Sequence, residues 1–186
     1  MQNEVEVNGK RFRVSLKAEQ IQARVAELSA QMNADLAGKD VVFLSILNGS
    51  FMFAADLLKN IDLLCRISFV KFSSYQGAQS TGNVKELIGL NENLKGKTVV
   101  IIEDIVDTGK TMADLLDYLK RYEPAEVRIA TLMFKPGKCQ ENLKIDYYGF
   151  SIPDDFIIGY GLDYDGPTKL HIFSHIAILL KADIIL

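Results

Sequence analysis

Residues 103–111 read EDIVDTGKT and place three carboxylates next to a Thr-Gly-Lys-Thr turn. The apolar run VVII precedes them and MADLLDYLKRY follows, so an apolar strand is expected to end here and a helix to begin. The first turn of a helix has unpaired N–H groups and a positive dipole end, and it therefore binds anions. Four residues are predicted to hold one phosphate group: Thr108, Gly109, Lys110 and Thr111.

The GKT at 109–111 does not belong to a nucleoside-triphosphate loop. Such a loop needs a glycine five residues before the glycine of GK[ST], and this chain has Asp104 at that position. The spacing excludes that class of site and leaves a pocket for a single phosphate monoester.

The carboxylates suit a sugar and a metal ion. Glu103 and Asp104 are expected one turn earlier, at the end of the strand, where they can accept hydrogen bonds from vicinal hydroxyls or bind a divalent cation. A phosphate and a diol at this separation describe a ribose 5-phosphate, and Asp107 would then face the anomeric carbon. The alternative is that Asp107 caps the helix and the other acids are solvated loop charges.

The surrounding pattern alternates strands and helices. Apolar spacing predicts helices at 18–36, 51–60 and 112–122 and strands at 41–47, 66–72, 98–102, 127–134 and 156–161, with a mobile loop at 73–83. This order favours an α/β fold in which helices flank a mostly parallel twisted sheet. Ligands in such sheets bind beyond the carboxyl ends of the strands, which is where the acidic run lies.

A family resemblance rests on VVIIEDIVDTGKT. This segment resembles the phosphoribosyl-diphosphate (PRPP) signature of the type I phosphoribosyltransferases, and EDIVDTGKT is most similar to the hypoxanthine-guanine members. The resemblance implies the type I fold in a single domain, 1–186, with a small hood lobe formed by roughly 1–15 and 150–186. It also implies Mg²⁺ as a cofactor and a homodimer or homotetramer.

The segment SILNGSFMFAADLL, 45–58, resembles the diphosphate-binding loop of the same family. The resemblance implies that backbone amides of Asn48, Gly49 and Ser50 hold the diphosphate and that the peptide bond before Asn48 is cis. Asn48 stands where the family commonly has a lysine, so a positive charge is expected to be missing. The alternative is a plain turn in which Ser50 caps the next helix.

The purine side of the resemblance rests on residues late in the chain. Lys135 matches a lysine that donates to the oxygen at C6 of the purine, which favours 6-oxopurines over adenine. Phe156 matches the aromatic residue that stacks on the base, and the backbone of Ile157 matches the contact with the base edge. The alternatives are a solvated strand-end lysine and a core aromatic.

Three further segments complete the resemblance. Ser74 and Tyr75, in KFSSYQGAQSTGN, match the marker of a catalytic flap, although a plain hairpin tip is the alternative. Asp163, in GYGLDYDG, matches an acid that binds a second Mg²⁺ on the diphosphate. Lys169 stands where an arginine that contacts the diphosphate is expected, and it could supply charge but no bidentate fork.

The resemblance implies transfer of a 5-phosphoribosyl group from PRPP to N9 of hypoxanthine or guanine. Glu103 and Asp104 would hold the ribose hydroxyls directly or through Mg²⁺ shared with Asp163, and Asp107 would act as general base or acid at N7 of the purine. Two alternatives stay open: a transferase that prefers xanthine, and a catalytically weak regulator that senses PRPP or a nucleotide.

Composition narrows the other classes of protein. The 186 residues carry a net charge of −3, which gives no reason to expect nucleic acid or an anionic membrane as the main partner. The two cysteines show neither zinc spacing nor a disulfide framework, and the polar start MQNEVEVNGKRFRVS has no apolar signal region. The expected setting is the cytoplasm, with small molecules as the partners.

Overall fold

The computed structural model describes residues 4–73, 85–140, 142–162 and 174–180. Within them lie ten strands and three helices: β1 (Glu4–Val7), β2 (Lys10–Leu16), α1 (Ala18–Asp35), β3 (Val41–Ile46), α2 (Phe51–Leu58), β4 (Cys65–Ser73), β5 (Lys85–Ile88), β6 (Thr98–Val106), α3 (Lys110–Lys120), β7 (Glu126–Phe134), β8 (Tyr147–Ser151), β9 (Ile157–Ile158) and β10 (Ile176–Leu179). None of these helices is long and apolar enough to span a bilayer.

The main sheet has six strands in the order β5-β4-β3-β6-β7-β8. The five strands from β4 to β8 in that order run parallel, and β5 pairs antiparallel with β4 at one edge. Side chains of α1 and α2 pack on one face, and side chains of α3 pack on the other. The predicted α/β fold with a mostly parallel sheet flanked by helices is confirmed.

Burial explains why the central elements were predictable. Every residue of β3 is buried, as expected for a strand covered on both faces. The spacing of three and four in α1 brings Ile21, Val25, Leu28 and Met32 into the same core.

The strand predicted at 98–102 is longer than expected and runs to Val106 as β6. Ile105 and Val106 continue the pairing with β7, opposite Met133 and Phe134. Glu103 and Asp104 therefore lie within the strand near its carboxyl end, and the prediction that the strand ends before them is wrong. The two acids interrupt the apolar pattern without interrupting the backbone pairing.

A second sheet of four strands, ordered β1-β2-β10-β9, comes from both ends of the described chain. Its core contains Phe12, Ile158 and Ala177. The β1–β2 hairpin turns at Asn8-Gly9, where both residues have positive φ. Asn-Gly is the sequence signal for such a turn, so this hairpin could have been predicted from the sequence.

The predicted strand at 156–161 is wrong in its extent, because β9 covers only Ile157–Ile158. Gly159, Tyr160 and Gly161 have φ of 103°, 48° and 85°, and this left-handed backbone cannot continue a strand. Strand β8 was missed because Gly149 interrupts its apolar pattern. A Cβ at 149 would lie 2.6 Å from Leu132 O, so glycine is required for the close approach of β8 to β7.

Tyr160 fixes the left-handed turn to α2. Its ring is buried, and its hydroxyl donates to Asp56 Oδ2 at 2.6 Å. A Cβ at Gly161 would lie 3.0 Å from Gly49 O, so the turn also packs on the segment before α2. Burial, together with the adjacent carboxylate of Asp56, raises the pKa of Tyr160 well above its usual range.

We expect Tyr160→Phe to lower the free energy of unfolding by about 2 kcal/mol near neutral pH, because it removes a hydrogen bond to a charged group. Since the pKa of Tyr160 is raised in the folded protein, its stabilisation is present below the pKa of about 10 in the unfolded chain and is lost at higher pH. Denaturant titrations from pH 7 to 11 should show the difference between the two proteins shrinking above about pH 10.

Tyr148→Phe is the matched control, since this side chain is 43% exposed. It should change the free energy of unfolding little. A difference between wild type and Tyr160→Phe that stays constant up to pH 11 would contradict the assigned role.

Candidate active site

The carboxyl ends of β3, β6 and β7 meet at one edge of the main sheet. After β6 the chain enters α3 at Lys110, as predicted for the GKT segment. Gly109 is the N-cap residue with φ of 84°, a left-handed conformation that favours glycine. A cavity of about 90 Å³ opens here and is lined by Glu103, Ile105, Val106, Asp107, Thr108, Gly109, Thr111 and Met112.

The cavity has the donors that an anion requires. It lies at the N-terminus of α3, and Thr108 and Thr111 contribute hydroxyl-bearing side chains to its lining. Thr108 Oγ1 is 3.4 Å from the N–H of Lys110, and Thr108 O accepts a hydrogen bond from the N–H of Gln140. Of the four residues predicted to hold a phosphate, Thr108, Gly109 and Thr111 line this cavity. Lys110 begins α3 beside it but is not part of its lining.

The adjacent acids Glu103 and Asp104 contact different parts of the site. Glu103 is 9% exposed and lines the cavity, while its Oε1 accepts a hydrogen bond from the N–H of Asp104 at 3.1 Å. Asp104 lies against Gly49, since a Cβ built at 49 would come within 1.8 Å of Asp104 Oδ2. The two carboxylates therefore connect the cavity at the N-terminus of α3 to the 47–50 segment.

Asp107 is held by two lysines. Its Oδ2 lies 3.1 Å from Lys138 Nζ and 3.7 Å from Lys135 Nζ. Its Oδ1 is buried and has no hydrogen-bond partner among the described residues. Because Gly109 is the N-cap residue of α3, the alternative that Asp107 caps this helix is wrong.

Lys138 and Asp154 are site residues that the sequence interpretation missed. Asp154 Oδ1 lies 3.1 Å from Lys135 Nζ and 3.0 Å from Lys138 Nζ, so two lysines alternate with two aspartates. The hydrogen bonds that Lys138 donates to Asp154 and Asp107 raise the pKa of Lys138. The hydrogen bonds that Asp154 accepts from Lys138 and Lys135 lower the pKa of Asp154. Lys138 could have been found from the sequence, because it follows Lys135 by three residues just after the end of β7.

The 47–50 segment forms a tight turn between β3 and α2. The Leu47–Asn48 peptide bond is cis, as the resemblance implied. Ser50 is buried, and its Oγ bonds to Ser45 Oγ and Ile46 O. Ser50 is the N-cap residue of α2, as the alternative predicted, although its side chain makes no capping hydrogen bond. The cis peptide bond shows that the turn is not a plain one.

Ile157 lies in the second sheet, and Phe156 directly precedes it. Phe156 precedes β9, is 50% exposed and has its ring centroid 6.4 Å from that of Phe12. Ile157 begins β9 and pairs with Ile178. The alternative that Phe156 is a core residue is wrong, because half of its surface faces solvent.

Four predicted site residues lie outside the described residues: Ser74, Tyr75, Asp163 and Lys169. His175 accepts a hydrogen bond through Nδ1 from the N–H of Ala18 at the start of α1. No three His, Cys, Asp or Glu side chains converge on one point within the described residues. Glu103 and Asp104 nevertheless fit Mg²⁺, which takes one or two protein carboxylates when substrate oxygens and water supply the other ligands.

Comparison with known proteins identifies the class that this fold and site define. The protein-family model for the phosphoribosyl transferase domain matches residues 15–165 of the sequence. The chain belongs to this family, and the resemblance predicted from EDIVDTGKT is confirmed.

Within the family, the chain is similar to hypoxanthine and hypoxanthine-guanine phosphoribosyltransferases. The chain is 40% identical over 154 residues to the hypoxanthine phosphoribosyltransferase of Escherichia coli K12, covering 81% of this chain and 86% of that protein. It is 40% identical over 159 residues to the hypoxanthine-guanine phosphoribosyltransferase of Mycobacterium bovis, covering 82% and 79%. A crystal structure of a hypoxanthine-guanine phosphoribosyltransferase from Bacillus anthracis superimposes with a TM-score of 0.82 at 38% identity, covering 90% of this chain and 98% of that one.

Proposed function

We propose that the protein transfers the 5-phosphoribosyl group of PRPP to N9 of hypoxanthine, and of guanine, giving IMP or GMP and pyrophosphate in purine salvage. The observation that carries this proposal is the buried Asp107 Oδ1, an acceptor without a hydrogen-bond partner among the described residues, beside the phosphate cavity. A buried acceptor without a partner is unfavourable, and the N7–H of a purine would satisfy it.

The residues divide the substrate between them. Thr108, Gly109, Lys110 and Thr111 bind the 5-phosphate at the N-terminus of α3. The N–H groups of Asn48, Gly49 and Ser50 bind the diphosphate, and Glu103 and Asp104 accept hydrogen bonds from the ribose hydroxyls. Phe156 stacks on the purine and Lys135 donates to its C6 oxygen.

The chemical step breaks the bond from C1 of the ribose to the diphosphate, which leaves with the electron pair. The sugar becomes cationic, and the nearby carboxylates stabilise the developing positive charge. The lone pair of N9 forms the new bond to C1, while the proton on N7 passes to Asp107 and then to solvent. Lys135 and Lys138 hold the other oxygen of Asp107 and so orient its carboxylate.

Glu103 and Asp104 would hold Mg²⁺ together with oxygens of the sugar diphosphate, and Asp163 would hold a second ion. When bound, the ion neutralises charge on the leaving diphosphate. The contact between Asp104 and Gly49 supports this assignment, because it brings a carboxylate to the turn that would hold that diphosphate.

Lys135→Gln should raise KM for hypoxanthine about 10- to 100-fold, since it removes one charged hydrogen bond to the base. KM for PRPP should change little, because Lys135 contacts Asp107 and Asp154 and does not line the cavity assigned to the 5-phosphate. Lys144→Gln is the control, as this side chain is 88% exposed. Equal rises in both KM values would contradict the role of Lys135 at the base.

The proposal is tested by following absorbance with PRPP, Mg²⁺ and hypoxanthine, guanine, xanthine or adenine in parallel. Turnover of hypoxanthine and guanine without adenine is the expected result. Turnover of xanthine alone would identify the xanthine-preferring alternative. Binding of PRPP without turnover of any base would overturn the proposal in favour of a regulator.

We propose that the second sheet belongs to a hood that closes over the base within a single domain, 1–186, since Phe156 directly precedes β9 and its ring lies near Phe12 of that sheet. A homodimer or homotetramer and a cytoplasmic setting stay predictions, which analytical ultracentrifugation and cell fractionation would check.

A further inference from the structure

The turn at 47–50 has a cation beside it that its own sequence lacks. Lys71 Nζ lies 3.2 Å from Asn48 Oδ1. Strand pairing brings the two together, because Val70 lies opposite Ile46 in the register of β4 and β3, and the N–H of Leu47 donates to Val70 O at 2.8 Å. Lys71 therefore follows directly from the strand residue to which the turn is anchored.

The same turn keeps two backbone donors for a ligand. The N–H of Ser50 bonds to Ile46 O and that of Phe51 bonds to Asn48 O. Within the described residues, no hydrogen bond engages the N–H of Asn48 or of Gly49. Consecutive N–H groups in a tight turn form an anion-binding concavity, and an ammonium group at its edge strengthens that preference.

The type of residue at 48 also matters. A carboxylate at this position would neutralise Lys71, whereas the amide of Asn48 accepts a hydrogen bond and leaves the positive charge available. An ammonium has three donors, so one bond to Asn48 leaves two for a second acceptor. The contact orients the lysine without neutralising it.

We propose that Lys71 binds the diphosphate of the phosphoribosyl donor at this turn, and that Asn48 orients its ammonium group. This inference rests on the proposed function, because it takes the 47–50 turn as the diphosphate site. The turn was expected to lack a positive charge because Asn48 stands where the family commonly has a lysine. The proposal supplies that charge from Lys71 of β4.

The experiment measures KM for PRPP in turnover and the affinity for inorganic pyrophosphate with Mg²⁺ by calorimetry. Lys71→Gln should raise both KM for PRPP and Kd for pyrophosphate about tenfold, the effect of one charged hydrogen bond. KM for hypoxanthine should stay within about twofold, because Lys135 and Phe156 are assigned to the base. The effect of Lys71→Gln should weaken at high ionic strength.

A relocated charge tests the position of Lys71. The double variant Asn48→Lys with Lys71→Gln should recover most of the affinity for pyrophosphate, since it returns a cation to the same turn. Lys120→Gln is the matched control, because it removes the same charge from a side chain that is 77% exposed on α3. It should leave both values unchanged.

Lys71→Gln within twofold of wild type in both measurements would overturn the inference, and so would an equal loss in Lys120→Gln. Failure of the proposed function has a different signature. If wild type binds pyrophosphate, Lys71→Gln weakens that binding and no purine is turned over, then Lys71 keeps its role and the proposed reaction is wrong.

Discussion

Asp107→Asn is expected to lower kcat by about 10²- to 10⁴-fold, the range that a general base contributes. The asparagine has nearly the same shape, and its amide oxygen can still accept a hydrogen bond from N7–H, so KM for PRPP and for hypoxanthine should change by less than about fivefold. Steady-state kinetics with both substrates varied would separate these effects.

The pairing of Asp107 sharpens this prediction. Its Oδ2 contacts Lys138 and Lys135, so the substitution also removes the charge that holds two ammonium groups. Lys138→Gln separates the contributions, because it removes one of these ion pairs and keeps the carboxylate. We expect Lys138→Gln to lower kcat far less than Asp107→Asn does.

Asp117→Asn is the matched control for the lost carboxylate. This side chain is 75% exposed on α3 and pairs with Lys120, away from the cavity. A fall in affinity for both substrates as large as the fall in kcat, after Asp107→Asn, would count against a proton-transfer role.

Local patterns predicted the parts of the fold that local physics decides. Strand β3 can be predicted from its apolar run and α1 from its helical spacing, because each element buries its own continuous surface. The cavity at the N-terminus of α3 has a related explanation, since one short segment supplies the strand end, the left-handed Gly109 and the helix N-terminus. Phosphate binding at this cavity stays a prediction.

Contacts between segments that are distant in the chain could not be predicted from the sequence. Lys138 and Asp154 are sixteen residues apart, and only the backbone path after β7 brings their side chains within 3.0 Å. The 47–50 turn was expected to lack a positive charge, because Asn48 stands where a lysine is common. The side chain of Lys71, on the neighbouring strand, brings an ammonium group to this turn. Strand β8 was not predicted because Gly149 interrupts its apolar pattern. The glycine is required for the close approach to Leu132, a contact that the sequence pattern does not reveal.

Gly49→Ala is expected to lower kcat/KM for PRPP by at least about 100-fold, the scale of an ångström-sized misplacement in an active site. A Cβ at 49 would lie 1.8 Å from Asp104 Oδ2 and 2.5 Å from its Cγ, so the carboxylate or the turn must move. Asp104 cannot move freely, because its Oδ1 accepts a hydrogen bond from the N–H of Ile105 at 2.8 Å. Gly137→Ala is the control, since a Cβ there meets no atom within 4 Å.

A double-mutant cycle identifies which group the methyl displaces. Asp104→Ala removes the carboxylate that the new Cβ would strike, so adding Gly49→Ala to that variant should cost much less than adding it to wild type. Such coupling would mean that the glycine is required because the Asp104 carboxylate lies against the turn. Additive losses in kcat/KM would instead place the damage in the turn itself, through the N–H groups of Asn48 and Gly49, and would contradict the proposed contact between the acid and the diphosphate site.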